Sequence, residues 1–350
     1  MNGATDTLFI PFKSGRLAWP DPASRICFFG AQPHEDLLRF DKSALTLLQY
    51  FKPYAAALEA QGFAVCTTLE DVPEALDIAL VLPSKSRLDS ESMIAAALRA
   101  LKPGGMILCA AGNKEGGTRL AKILQHFGVT EIENVSANKA RTVWGRAETL
   151  DSAALSQAIR QGNTQIVLDG RFHSMPGLFG WDKIDKGSEI LLRNIPQTLR
   201  GKGADFGCGY GFLACGILES SPDITGLTCL DAEARAVRLC EKNVCAMPNT
   251  ANCTLSFRWE DLTKPVSGLE KLDFIVMNPP FHEGRKSDPD IGLAFIETAA
   301  RSLKQGGELW MVANAALPYE KALERQSGQC EKLYEGQGFK VFLARNSRNY

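Results

Sequence analysis

Residues 203–218, GADFGCGYGFLACGIL, decide the fold of the second half of this chain. A short strand over residues 203–206 runs into the glycine-rich turn DFGCGYG (residues 205–211), and a helix follows over residues 212–218. Glycines in such a turn permit positive φ angles and let backbone amides approach a ligand at the carboxyl end of a sheet. The stretch predicts a ligand-binding strand–turn–helix unit, although tight structural turns also use glycine.

Alternating strands and helices follow this unit along the chain. We predict further strands at residues 225–230, 254–259, 272–277, 308–313, 330–335 and 339–344, and helices at residues 232–245 and 291–303. Strands that are spaced by helices form a mostly parallel sheet with helices on both faces. The fold class is therefore α/β and Rossmann-like.

The first half of the chain repeats this pattern. The matching pairs, in order, are DIALVLP (77–83) with DFIVMNP (273–279), LKPGGMIL (101–108) with LKQGGELW (303–310), and TVW (142–144) with KVF (340–342). Ordered matches at a nearly constant offset favour duplication over convergence on a common helix-to-strand loop. We predict two tandem Rossmann-like domains, residues 1–150 and 165–350. Between them, Asp151 and Ser152 are expected to cap a short helix over residues 155–159.

The composition excludes several classes of protein. The 350 residues are 45% hydrophobic and 23% charged without a polar low-complexity tract, which is typical of a folded chain of about two domains. No secretion signal and no apolar run of about 18 residues is evident, so we predict no membrane partner and a cytoplasmic location. The formal net charge of −1 counts mildly against a nucleic-acid partner. It does not exclude one, because the net charge of the whole chain does not reveal a local basic face.

The ten cysteines point to a reducing compartment. They lie mainly inside apolar segments, as Cys27, Cys109 and Cys229 do, and none forms a C-x-x-C pair. This pattern predicts buried free thiols, without disulfides and without a metal site.

Acidic residues lie at or shortly after the carboxyl ends of three predicted strands. Asp205 opens the turn, where a carboxylate would repel a pyrophosphate but suits a cationic sulfonium that carries an ammonium group. The turn therefore favours S-adenosylmethionine over a nicotinamide dinucleotide. Asp231, at the end of the next strand, is placed to accept hydrogen bonds from ribose hydroxyls. Asp261 is placed to contact an adenine amino group, or it caps a turn.

The motif NPPF, at residues 278–281, follows the strand over residues 272–277. The amide oxygen of Asn278 and the carbonyl of Pro279 are able to accept the two protons of one amino group. Pro279 and Pro280 lock φ and donate no hydrogen bond, and Phe281 offers a ring for stacking a base. The motif predicts methyl transfer to a planar amino group by positioning, with no evident general base. A proline turn after a strand is the structural alternative.

Together these motifs resemble the class I amino-methyltransferases with the N-P-P-F motif. PGLF (176–179) and DKGSEILL (185–192) are similar to the segment that introduces the catalytic domain in the RsmC-type ribosomal RNA guanine-N2 methyltransferases. The resemblance implies methylation of a guanine N2 in ribosomal RNA, most readily 16S rRNA, with the RNA or the 30S subunit as partner. Alternatives are 23S rRNA guanine-N2, adenine-N6 of DNA or RNA, a protein glutamine, or a non-catalytic RNA-binding descendant.

The resemblance also implies roles for individual residues. Those expected to contact S-adenosylmethionine are Asp205, Gly207, Cys208, Gly209, Gly211, Asp231, Ala232, Asp261 and Leu262, with Phe179 and Gly187 covering it. The catalytic residues expected to hold the target amine are Asn278, Pro279, Pro280 and Phe281. Further substrate contacts are expected from Phe281, His282, Arg285 and Lys286, although solvated loop charges are the ordinary explanation for the last two.

The first half has lost the chemistry-bearing residues. Leu82 stands where the second half has Asn278, and FFGAQP (28–33) lacks the acidic opener and the repeated glycines. We therefore predict that this degenerate domain binds no cofactor and serves as a substrate-binding or stabilising platform. Lys139, Arg141 and Arg146 are its candidate RNA contacts, with a solvated strand edge as the alternative.

Overall fold

A computed structural model describes residues 3–248, 250, 252–280, 282–283, 286–287 and 289–347, and of 282, 283, 286 and 287 it describes the backbone. The chain forms two compact units. The first contains Met1–Gln165 with Met175–Gly177, and the second contains Ile166–Ser174 with Leu178–Tyr350.

The first unit is a seven-stranded sheet flanked by helices. Its strands are β1 (Ile26–Phe29), β2 (Leu45–Leu48), β3 (Val65–Cys66), β4 (Leu76–Val81), β5 (Leu101–Gly112), β6 (Thr130–Ala137) and β7 (Ala140–Ala147). Its helices are α1 (Gly3–Leu8), α2 (Ile10–Lys13), α3 (Lys52–Glu59), α4 (Arg87–Ala100), α5 (Leu120–His126) and α6 (Ser152–Gly162). The strand order is β3-β2-β1-β4-β5-β7-β6, and only β7 runs antiparallel to its neighbours within the described sheet.

The second unit repeats this design. Its strands are β8 (Gln165–Val167), β9 (Phe172–Ser174), β10 (Gly201–Phe206), β11 (Ile224–Asp231), β12 (Thr254–Trp259), β13 (Leu272–Met277), β14 (His282–Glu283), β15 (Lys286–Ser287), β16 (Leu303–Asn314), β17 (Gly328–Gly336) and β18 (Phe339–Asn346). Its helices are α7 (Lys186–Asn194), α8 (Phe212–Ser220), α9 (Ala234–Cys245), α10 (Pro289–Ser302) and α11 (Glu320–Ser327).

The two main sheets have one topology. The second follows β12-β11-β10-β13-β16-β18-β17, which is the order of the first sheet transposed strand for strand, and β18 is its antiparallel member. The predicted duplication is confirmed at the level of the fold.

The central strands are buried over most of their length because helices cover both faces of the sheet. In β10 the last four residues are buried, and so are the last four of β13. Alternation of polar and apolar residues is therefore absent from these strands, as expected for buried parallel strands.

The register of the central strands positions the site. Phe206, the last residue of β10, pairs with Leu230 of β11 on one side and with Met277 of β13 on the other. The residues that follow these strands therefore emerge at the same edge of the sheet. This edge brings together the glycine turn, Asp231 and Asn278.

Helix α6 differs from its predicted extent. It begins at Ser152 and ends at Gly162, and the side chain of Asp151 caps it by accepting from the amides of Ala153 and Ala154. The predicted cap is correct, and the helix begins directly after it and continues to Gly162, with Ala154, Leu155 and Ala158 packed into the core of the first unit.

All ten cysteines are free thiols, and Cys27, Cys109 and Cys229 are buried. The predicted burial of the thiols holds for part of the set, since Cys245 is exposed and Cys66, Cys253 and Cys330 are half-buried. Within the residues described above, none of the helices has the length and apolar character needed to span a bilayer. The same residues include no group of three or more potential ligands arranged to hold a metal ion.

Candidate active site

The glycine turn is built from backbone geometry. Gly207, Gly209 and Gly211 have φ angles of +76°, +54° and +97°, a region that side chains disfavour. The amides of Gly207 and Cys208 both donate to the carbonyl of Leu230, which joins the turn to β11. Gly211 then forms the N-cap of α8. The turn is thus held against the sheet with its glycine backbone open toward the cleft.

Asp205 lies buried beneath this turn. One of its carboxyl oxygens accepts a hydrogen bond of 3.0 Å from the amide of Ala214 in the first turn of α8. The other oxygen, Oδ1, has no hydrogen-bond partner although it is buried. Burial, with the nearby carboxylate of Asp231, raises the pKa of Asp205 to about 8. An orphaned buried carboxyl oxygen is a place for a cationic donor.

Asp231 fixes the other side of the turn. Its Oδ2 accepts from the amide of Gly209 at 2.8 Å, and its Oδ1 accepts from the amide of Glu233 at 2.9 Å. Burial raises the pKa of Asp231 to about 6, and these hydrogen bonds oppose the rise. Each oxygen retains a lone pair for a ligand hydroxyl. The adjacent Ala232 accepts at its carbonyl from the indole of Trp259, at 2.7 Å.

The cleft in front of the turn contains the aromatic and amide groups of the site. It is lined by Phe179, Gly180, Asp185, Ser188, Gly207, Cys208, Gly209, Tyr210, Phe212, Leu213 and Asn278. Phe179, Gly207, Cys208, Gly209 and Asn278 are predicted site residues. The structure brings them together, and Phe179, 68% exposed, lies at the rim.

Predicted cofactor residues also lie outside this lining: Asp205, Gly211, Asp231 and Ala232, which are described above, and Asp261, Leu262 and Gly187. Asp261 caps a turn by accepting from the amide of Thr263, and it forms an ion pair with Lys264. Leu262 is buried in the core of the unit. Gly187 is buried in the first turn of α7, where an added Cβ would lie 2.9 Å from the ring of Phe339. The geometry gives these three residues structural contacts.

Asn278 has its side-chain nitrogen fixed by two acceptors. The nitrogen Nδ2 donates to Asp185 Oδ2 at 2.7 Å and to Ser188 Oγ at 2.9 Å. Sequence reasoning missed both acceptors. Asp185 is also the N-cap of α7, since it accepts from the amide of Ser188 at 2.8 Å, and a capping pattern before a helix was the available signal.

The rest of the N-P-P-F segment is described in part. Pro279 is buried and Pro280 is exposed. Phe281 and Arg285 lie outside the described residues. His282 and Lys286 belong to the two-stranded antiparallel ribbon β14–β15, in which His282 pairs with Ser287 and Glu283 with Lys286.

A buried asparagine supports the glycine turn from behind. Asn243 on α9 accepts from the amide of His173 and donates to the carbonyls of His173 and Tyr210, at distances between 2.7 and 2.8 Å. It therefore ties the turn to the preceding segment β9. No motif in the sequence marked it, because an asparagine within an amphipathic helix is usually exposed.

Acidic groups dominate the electrostatics of the cleft. Burial together with Asp185 and Asp182 raises the pKa of Tyr210 to about 12. Asp231 adds a further carboxylate beside the turn, whereas Asp205 beneath it is mostly neutral at pH 7 because burial raises its pKa to about 8. Such a site favours a cation and disfavours a phosphate.

Comparison with known proteins agrees with this geometry. The sequence model of the Methyltransferase small domain matches residues 169–343. The ribosomal RNA small subunit methyltransferase C of Shewanella halifaxensis is 30% identical over 298 residues, covering 83% of each chain. The protein of the same name from Pseudomonas paraeruginosa is 32% identical over 292 residues, covering 76% of this chain and 78% of the relative.

A solved structure shares the fold of both units. The T. thermophilus 16S rRNA N2 G1207 methyltransferase (RsmC), solved in complex with AdoMet and guanosine, has a TM-score of 0.78 and 22% identity, covering 99% of this chain and 92% of that one. The fold and the site thus define a methyltransferase of the small-domain class. The chain belongs to the family of ribosomal RNA small subunit methyltransferase C proteins. The family resemblance and the fold of two tandem methyltransferase-like domains are confirmed.

Proposed function

We propose that this chain transfers a methyl group from S-adenosylmethionine to the exocyclic N2 amino group of a guanine in 16S rRNA. The observation that carries the proposal is the position of Asn278, whose amide lines the same cleft as the glycine turn. The names of its relatives support a small-subunit rRNA substrate. The T. thermophilus 16S rRNA methyltransferase, which shares the fold, binds AdoMet and guanosine, and this supports the cofactor and the base.

The residues of the cleft fit S-adenosylmethionine. The buried Oδ1 of Asp205 lacks a partner, the carboxyl groups suit a cation, and a Cβ at Gly209 would meet nothing within 4 Å, so that backbone is open to a ligand. Gly207, Cys208 and Gly209 would hold the cofactor at the turn, with Asp231 accepting from its ribose. When bound, it supplies a methyl group made electrophilic by the sulfonium.

The chain positions the target amine. Because both protons of Asn278 Nδ2 have acceptors, Oδ1 is the atom left to accept a proton of the guanine amino group. Pro279 offers a carbonyl oxygen as a second acceptor and has no N–H. It therefore donates no hydrogen bond to the lone pair of the amine, which stays available to the methyl group. Alignment at near-attack distance supplies most of the acceleration, and the excess proton leaves after transfer.

The first unit is proposed to bind the ribosomal RNA. Lys139 is exposed in the turn between β6 and β7, whereas Arg146 lies near the far end of β7 and donates to the carbonyl of Gly104. Arg141 donates to the hydroxyl of Ser136. The amide of Asn113 donates to the carbonyl of Lys139, so the exposed Lys114 follows a residue that contacts this turn. Lys139 and Lys114 are therefore the stronger candidates for phosphate contacts.

The assembled 30S subunit is the proposed form of the substrate, and a cytoplasmic location follows from it. Purified protein is to be incubated with radiolabelled S-adenosylmethionine and, separately, 30S subunits, 50S subunits and free 16S rRNA. We expect label in 30S subunits, released by nuclease digestion as N2-methylguanosine and identified by mass spectrometry. Labelled adenosine, labelled 23S rRNA or absence of transfer to any of these substrates would contradict the proposal.

Asn278→Ala is the matched variant for this assay. It removes the acceptor oxygen without entering the glycine turn, so we expect methyl transfer to fall by at least about 100-fold while cofactor affinity stays within about threefold. Transfer equal to that of the wild type would exclude Asn278 from the site.

A further inference from the structure

We infer that Asp185 is a positioning residue for methyl transfer, which acts by fixing the orientation of the Asn278 amide. This inference rests on the proposed function, because it assigns how the acceptor oxygen of that site is presented. The geometry behind it is a closed ring of hydrogen bonds among Asp185, Ser188 and Asn278.

The ring leaves the amide one orientation. Asn278 Nδ2 has two protons, and two acceptors lie within hydrogen-bond distance, Asp185 Oδ2 at 2.7 Å and Ser188 Oγ at 2.9 Å. Rotating the amide by half a turn would place its oxygen against the Asp185 carboxylate, acceptor against acceptor. It would also present an N–H toward the donor protons of the target amine. The carboxylate excludes that rotamer.

Asp185 is itself held in place. Its Oδ2 accepts from the amide of Ser188 at 2.8 Å and so forms the N-cap of α7, a nine-residue helix. A helix N-terminus stabilises a carboxylate. Ser188, with its side chain largely buried, contributes its amide to Asp185 and its hydroxyl to Asn278. The helix start is thereby coupled to the strand end that carries Asn278, across 93 residues of sequence.

The carboxylate of Asp185 also makes Asn278 Oδ1 a stronger hydrogen-bond acceptor. A hydrogen bond from an amide N–H to an ionised group is roughly twice as strong as a neutral one, and hydrogen bonds in series polarise one another. Electron density moves toward Asn278 Oδ1, the atom that meets the guanine amine. A neutral acceptor at position 185 would preserve the orientation and lose this polarisation.

Variants of Asp185 distinguish its capping of α7 from its positioning of the Asn278 amide. Asp185→Ser keeps an N-cap side chain but is too short to reach Asn278. We expect kcat to fall about 100-fold, with the affinity for S-adenosylmethionine within about threefold, because misorientation affects the reacting geometry. Asp185→Asn keeps an acceptor oxygen and is expected to retain at least about a tenth of wild-type kcat. Asp151→Ser, the same change at the N-cap of α6, is the control and is expected to leave kcat unchanged.

A double-mutant cycle distinguishes the positioning role of Asp185 from a merely structural role. In the Asn278→Ala background, Asp185→Ser is expected to cause no further loss, because its effect passes through the missing amide. A further loss as large as in the wild type, or a cofactor affinity that falls in parallel with kcat, would overturn the inference.

A measurement without turnover keeps this inference separate from the proposed function. In protein labelled with ¹⁵N-asparagine, the Asn278 side-chain protons, assigned by their loss in Asn278→Ala, are expected to exchange with solvent at least about tenfold more slowly than in Asp185→Ser. Equal exchange rates would refute the positioning role of Asp185 even if the wild type methylates 16S rRNA. Slow exchange without methylation of ribosomal RNA would support the hydrogen bonds of Asp185 to Asn278 and refute the proposed substrate.

Discussion

Asp205 is a buried carboxyl group beneath the glycine turn of the site. It is fully buried, one oxygen has a single backbone donor, and the other has none. Burial favours the neutral acid, so its pKa rises from 3.8 to about 8. A bound cation would reverse this preference by supplying the missing donor and a compensating charge. If Asp205 contacts the cofactor as proposed, its protonation and cofactor binding would be linked.

The first prediction concerns the pH dependence of stability without cofactor. The folded-state pKa of Asp205 exceeds the unfolded value of 3.8, so the folded protein binds an extra proton between pH 4 and about pH 8. This group's stabilising contribution is complete below about pH 4 and is lost as the pH rises through about 8. Asp205→Asn removes the titration. The wild-type Tm is therefore expected to fall more than the variant Tm between pH 5 and pH 8.5.

Thermal denaturation of both proteins at a series of pH values measures this difference. Saturating S-adenosylmethionine should reduce it, because the cation stabilises the carboxylate in the folded protein. Parallel Tm curves for the two cofactor-free proteins would show that Asp205 does not titrate in this range.

At the scale of elements, the start of α8 depends on close packing against α9. Gly211 has a φ of +97°, and a Cβ added there would lie 3.1 Å from the sulfur and 3.3 Å from the Cα of Cys240. The glycine therefore serves two purposes, since it relieves backbone strain and allows the two helices to approach. Both purposes are visible only when α9 is in place.

The second prediction compares two glycine substitutions. Gly211→Ala combines left-handed strain with tight contacts to Cys240, whereas Gly268→Ala, at a φ of +70°, has nothing within 4 Å of the added atom. Strain alone costs about 1 to 2 kcal/mol. We expect Gly211→Ala to lower the free energy of unfolding by about 1 kcal/mol or more beyond Gly268→Ala, and to weaken cofactor binding. Urea denaturation and calorimetric titration measure both quantities, and equal losses would rule out the packing contribution.

Sequence patterns predicted the elements that local chemistry specifies. Asp205 and Asp231 lie near the carboxyl ends of buried strands and Asn278 follows one. Parallel strands place their carboxyl ends together, so the proximity of these residues was predictable. Asp185 was not, because its contact with Asn278 depends on how α7 packs against the sheet. Asp261 shows another limit, since its sequence context fits both a turn cap, which the structure contains, and an adenine contact, which stays a prediction.

At the scale of the whole molecule, the two units share one topology but differ in the residues at the positions predicted to carry the chemistry. In the first unit, the residues that replace the glycine turn are joined to α1, as Thr5 donates to Gln32 and Asp6 pairs with His34. Leu82, at the position equivalent to Asn278, is buried in an apolar core. Positions that line the cleft in the second unit are occupied by packing contacts in the first. Conserved topology therefore does not require conserved chemistry.

The third prediction tests RNA binding by the first unit. Lys114, Arg119 and Lys139 are exposed, and they lie in the turns that follow β5 and β6. Each cation that contacts a phosphate contributes about one to the slope of log affinity against log salt. We expect the triple change Lys114→Glu, Arg119→Glu, Lys139→Glu to weaken 16S rRNA binding at least about tenfold at low salt and to reduce that slope by about two to three, because charge reversal removes those contacts.

Arg146→Glu is the control, since Arg146 lies at the opposite end of β7 and has protein partners in Gly104 and Glu131. It reverses one charge in the same unit but is expected to leave the salt slope unchanged. Filter binding over a range of salt concentrations measures the slope, and cofactor titration of each variant confirms that the second unit is intact. If the triple variant and Arg146→Glu bind ribosomal RNA as the wild type does, the first unit acts as a scaffold and RNA recognition belongs to other surfaces of the chain.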